Sequence, residues 1–154
     1  MMKTYEEEVI SIPAAKGIDG VSKYGVYACP LKKRFNYKQS LYLAFREKGG
    51  LMYKLYKLRN RYEILPNIDN ISYRSMDNTD RKSILAFMKD KAIWVEQDAS
   101  TTCQFFVLDT KHTITLPTGG ASSGGRSPQG IVYYYLSDML DVKKCKNLKP
   151  CSQC

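Results

Sequence analysis

LYLAFREKGGLMYKLYKL, residues 41 to 58, sets two runs of alternating apolar residues on either side of Glu47-Lys48-Gly49-Gly50. Side chains along a strand point to opposite faces in turn, and a four-residue connection with paired glycines joins antiparallel strands without strain. The stretch is therefore read as a β-hairpin, and it makes the chain β-rich.

Working outward, Val9 to Pro13 (VISIP) and Tyr24 to Pro30 (YGVYACP) are short, rich in β-branched or aromatic residues, and separated by a turn at Gly17 and Gly20. Both are expected strands. Arg61 to Leu65 extends the hairpin until Pro66 breaks it, and the polar residues to Asn78 form a loop. A helix follows, capped by Asn78 or Thr79, with Ile84, Leu85, Phe87 and Met88 at helical spacing and Lys89 and Lys91 at its end.

Ile93 to Glu96, Cys103 to Leu108 and Thr113 to Leu116 are three further expected strands. Pro117 to Gly130 is rich in Gly and Ser and is expected to be a loop without packing of its own. Ile131 to Tyr135 (IVYYY) returns to the core, and Ser137 caps a last short helix through Leu140. These elements predict an α+β fold: a curved sheet or open barrel of about seven short strands, with one inserted helix and a short C-terminal helix. One β-rich domain spans residues 1–142, and residues 143–154 form a basic, cysteine-containing tail.

At 154 residues, a chain of this size buries about two-thirds of its unfolded surface, which is enough for a core without staples. Met1 to Ile10 is acidic and has no apolar centre of the secretory kind, and no apolar run approaches the roughly 18 residues that span a bilayer. The five cysteines are odd in number. Cys29 and Cys103 sit in apolar runs, and Cys145, Cys151 and Cys154 in the tail, which fits reduced thiols and a cytoplasmic setting with no membrane contact.

The net charge of +9 is confined. Residues 31 to 61 hold ten basic side chains (Lys32, Lys33, Arg34, Lys38, Arg46, Lys48, Lys54, Lys57, Arg59 and Arg61) against the single acid Glu47, and the remaining 14 basic and 14 acidic groups cancel. Cations gathered in this way suit a polyanion, because neutralising phosphates releases condensed counterions. Phe35, Tyr37, Tyr42, Phe45, Tyr53 and Tyr56 interleave with them. Rings that stack bases beside cations that track the backbone are the general design of single-strand and flipped-base readers. Strand alternation turns many of these rings inward, and Tyr37, in the loop, is the best candidate for exposure. Trp94 and Arg126, the latter within the Gly-rich stretch, complete the candidate nucleic-acid set. No cofactor is expected.

The run YLAFREKGGLMYKLYKL, with YGVYACPLKKRF before it and IVYYYLSDML after it, resembles the PUA-like superfamily, including EVE and ASCH modules, over residues 23 to 140. In that superfamily short strands form an open barrel around a pocket for RNA or a modified base, and some members lie beside defence genes. The resemblance implies a pocket drawing on Tyr27, Phe45, Trp94 and the Gly-rich loop, with the basic hairpin on the phosphates.

Two other functions stay open. Asp98, followed after strand FFVL by Asp109-Thr110-Lys111, resembles the PD-(D/E)xK nuclease pattern, in which two acids hold Mg²⁺ and the lysine polarises the phosphate, although a Pro-Gly segment stands where that family carries a helix. A small inhibitor or adaptor would instead dock its basic face on an acidic protein. Cys145, Cys151 and Cys154 supply three of the four ligands of a tetrahedral Zn²⁺ site, and the competing expectation is an exposed, oxidisable tail.

Overall fold

A computed structural model describes residues 8–13, 17–30, 40–47, 50–66, 75–94, 101–120 and 131–149, except for the side chains of 117–120. In chain order these hold β1 (Glu8–Pro13), α1 (Ile18–Tyr24), β2 (Val26–Pro30), β3 (Tyr42–Arg46), β4 (Met52–Ile64), α2 (Asn78–Lys89), β5 (Cys103–Gly120), β6 (Val132–Tyr135), α3 (Leu136–Leu140) and a 3₁₀ turn (Lys144–Asn147). The fold is α+β, with one mixed sheet ordered β2-β5-β4-β3-β1-β6. β1 runs parallel to β3, Val9 facing Tyr42 and Ile12 facing Phe45, and antiparallel to β6. β2 and β5 are antiparallel, as are β3 and β4.

Among the described residues there are six strands, where sequence periodicity predicts about seven. One difference lies wholly within the described residues, and of a second expected strand, Ile93 to Glu96, Val95 and Glu96 lie outside them. Cys103 to Leu108 and Thr113 to Leu116 belong to one long strand, because the polar run Asp109 to His112 stays extended with Thr110, Lys111 and His112 facing water. Lys91 to Ile93 form a turn, closed by the Ile93 and Trp94 N–H groups on the Asp90 carbonyl at 3.0 and 2.8 Å. The Gly17 to Gly20 turn is instead the start of α1, which ends at Gly25 in the left-handed conformation (φ 67°) that a side chain disfavours.

The chain divides into two compact units. The first comprises Met1–Ala15, Tyr37–Lys57 and Lys111–Cys154. Its core gathers Val9, Ala44, Met52, Leu55, Leu116, Tyr134, Met139, Cys145 and Leu148, all almost fully buried. Burying such a side chain contributes about 1.5–3 kcal/mol. Cys145 and Leu148 belong to the stretch expected to be an exposed tail, and Cys145 is 0% exposed. The reason lies in the spacing: the 3₁₀ turn leaves Lys144 and Lys146 in water while Cys145, between them, points inward.

The second unit comprises Lys16–Asn36 and Leu58–Thr110. Val26, Ile64, Ile84, Phe87, Met88, Cys103, Phe105 and Val107 form its core, with Trp94 packed against it. Trp94 meets Phe87 and Phe105 at ring separations of 5.5 and 5.7 Å. α2 begins at Asp77, whose carboxylate accepts from the N–H groups of Thr79 and Asp80 at 2.9 and 3.1 Å. Asp77 takes the cap because its oxygen reaches two otherwise unpaired helix donors. α3 starts without a side-chain cap, so Ser137 does not play that part.

Candidate functional site

The β3–β4 hairpin is where the candidate residues gather in the first unit. Its loop closes with the Glu47 N–H donating to the Leu51 carbonyl at 2.9 Å and the Gly50 N–H to the Glu47 carbonyl at 2.8 Å. Gly50 has φ 79°, a conformation glycine adopts freely.

The two strands are out of step by one residue between the loop and the body of the hairpin. Tyr42 faces Lys57, Leu43 faces Tyr56 and Ala44 faces Leu55. Continuing that register would set Glu47 opposite Met52, yet Glu47 bonds to Leu51. One extra residue of β4 must therefore lie between Leu51 and Leu55, as in a β-bulge. Burial agrees: Met52 and Leu55 enter the same core although they are three residues apart, an odd spacing that unbroken alternation forbids. The consequence is two consecutive exposed side chains, Tyr53 (48% exposed) and Lys54. Lys57 is exposed farther along the strand.

Arg46 takes a different place. It is 3% exposed, and its Nη1 donates to the Ser11 carbonyl at 3.0 Å and the Ser11 hydroxyl at 2.7 Å, while that hydroxyl reaches Met52 Sδ at 3.2 Å. Burial lowers its pKa from the usual arginine range. Phe45 is buried beneath Tyr56, whose ring lies 5.7 Å away at a steep angle, and burial, helped by Glu47, raises the Tyr56 pKa.

In the second unit the β4 cations are engaged with the protein. Arg59 pairs with Asp80 at 3.4 Å, and Asp80 is 0% exposed and also accepts from Asn60 and Tyr62, each at 2.6 Å. Tyr62 has its pKa pushed up to about 12, first by burial and then by the bond to Asp80. Arg61 lies over the Phe106 ring at 5.3 Å, donates to the buried Gln104, and reaches Glu63 at 3.5 Å. Tyr27 covers the same Phe106 at 6.0 Å. Sequence reasoning did not single out Gln104 or Phe106. Only the apolar company of Gln104 between Cys103 and Phe105 marks it in the sequence as a buried polar residue.

Lys32, Lys33, Arg34, Tyr37, Lys48, Asp98, Arg126, Cys151 and Cys154 lie outside the described residues, as does most of the Gly-rich stretch. Asp109 is half-buried and Lys111 exposed on β5. Among the described residues no three His, Cys, Asp or Glu side chains converge as metal ligands, and no helix is long and apolar enough to cross a membrane. No protein family model, curated protein or solved structure matches the chain.

Proposed function

We propose that this chain is a nucleic-acid-binding module that engages phosphates through its basic hairpin. One observation carries the reading. Lys54 and Lys57 belong to the segment that holds the chain's whole net charge, and they stand exposed with no ion pair among the described residues. Cations held apart from carboxylates keep their full counterion-release energy for a polyanion. The PUA-like resemblance of residues 23 to 140 supports the same reading, since modules of that kind hold RNA or a modified base. An open barrel is the finer form of the sheet that it implies.

The test is binding of labelled DNA and RNA, single-stranded and duplex, over a salt series by fluorescence anisotropy. The wild type should bind, with log affinity falling linearly against log salt. Lys54→Ala and Lys57→Ala should each flatten that slope by about 0.7–0.9. Affinity unchanged in the charge-reversed pair Lys54→Glu and Lys57→Glu at low salt would remove the hairpin from the interface. Absence of binding to every nucleic acid at low salt would remove the function.

A further inference from the structure

The β4 bulge leaves two consecutive side chains, the aromatic ring of Tyr53 and the ammonium-bearing chain of Lys54, exposed to water. Tyr53 is 48% exposed, whereas Met52 and Leu55 on the same strand are fully buried and Tyr56 and Leu58 farther along it are half-buried. An exposed ring is not required by the core, because Met52 and Leu55 already supply that face of the strand. Regular alternation would have sent either Tyr53 or Lys54 inward, and only the extra residue leaves both outside. Lys57 adds a second cation along the same strand of the same unit.

From this we infer that Tyr53 is a base-stacking platform, and that the hairpin takes single-stranded rather than duplex nucleic acid. The inference rests on the nucleic-acid reading above and adds the class of ligand. Lysines recognise phosphates in either form, so charge alone does not discriminate between them. A tyrosine ring does, because in a duplex each base face is already stacked on its neighbours, whereas a single strand offers free faces. Lys54 follows Tyr53 in sequence and is exposed like it, so a nucleotide with its base on Tyr53 would have a cation within reach of its phosphate.

The experiment compares three ligands of equal length: an oligothymidylate, the same phosphate chain with abasic residues, and a duplex. Wild type, Tyr53→Ala and Tyr53→Phe are titrated with each, with circular dichroism to verify folding. The wild type should favour oligothymidylate over both other ligands. Tyr53→Ala should lose about tenfold or more on oligothymidylate and nothing on the abasic chain, and Tyr53→Phe should retain wild-type affinity. Equal affinity of the wild type for thymidylate and abasic chains, with binding still salt-dependent, would overturn the stacking role and leave the nucleic-acid reading standing. No binding to any of the three would overturn both.

Discussion

Asp80 is the residue on which the second unit places the most polar demand. Its carboxylate is fully buried, yet Asn60 and Tyr62 each donate to Oδ2 at 2.6 Å, and the guanidinium of Arg59 stands 3.4 Å from Oδ1. Hydrogen bonds to a charged partner contribute about 1.5–3 kcal/mol each, and Arg59 adds less because water reaches it. Asp80→Ala should therefore destabilise the fold by about 2–4 kcal/mol, read as a lower urea midpoint with an unchanged slope. Tyr62→Phe, which removes one donor and no volume, should cost about 1–2 kcal/mol. The pH dependence has a definite sign. Tyr62 holds its proton up to about 12, above the value of 10 for a free tyrosine, so its bond stabilises the fold fully below pH 10. That contribution is lost as pH rises through 12, and it should be absent from the alkaline limb of Tyr62→Phe. None of this was legible in the sequence, where Asp80 is one acid in the polar run Asp77 to Lys82 and only its position facing β4 buries it.

At the level of elements, the hairpin was readable from two apolar-rich runs on either side of paired glycines, and α2 from a helical period that is unbroken over its length. The 13-residue β4 runs from the loop to the proline that ends it, and α2 carries its buried stripe at Ile84, Phe87 and Met88. α1 was not readable, because two glycines in KGIDG carry the signature of a turn. Gly20 is there for packing instead: a Cβ at that position would lie 2.5 Å from Phe87 Cε2 and 3.0 Å from the Val26 carbonyl oxygen. The close approach of α1 to α2 and β2 needs the missing side chain. Gly20→Ala tests this cleanly, since helix propensity alone would stabilise the variant by about 1 kcal/mol. Overpacking against a ring and a backbone oxygen, neither of which moves freely, should reverse that sign and destabilise by about 1–3 kcal/mol. A variant that melted above the wild type would show that α1 can retreat from Phe87. The bulge in β4 was hidden for a related reason: LMYKLYKL fits two alternations, and only the observed register selects the one that leaves Tyr53 outside.

Over the whole molecule, sequence reasoning located the charge correctly but drew the end of the folded body too early. The excess of cations between residues 31 and 61 is arithmetic, whereas the fate of KKCKNLK depends on whether a core stands ready to receive Cys145 and Leu148. Four lysines and an asparagine in seven residues read as a solvated tail, and two well-spaced apolar side chains are enough to dock it. Thiol chemistry can decide how firmly. Cys29, Cys103 and Cys145 are all buried and outside any disulfide, and burial raises the Cys103 pKa, which lowers the fraction of reactive thiolate. In a variant with Cys151→Ser and Cys154→Ser, these three thiols should resist an aromatic disulfide reagent under native conditions and react at once in concentrated denaturant. Each thiol also reports on its own unit, Cys145 on the first and Cys29 and Cys103 on the second. Modification mapped by mass spectrometry should show Cys145 protected by at least about 10³-fold, the factor expected if exposure requires an opening of about 4 kcal/mol or more. Rapid labelling at Cys145 alone would mean that the 3₁₀ turn frays while the sheet stays closed, and the first unit would then owe its stability to β1, β3 and α3 without the residues that follow.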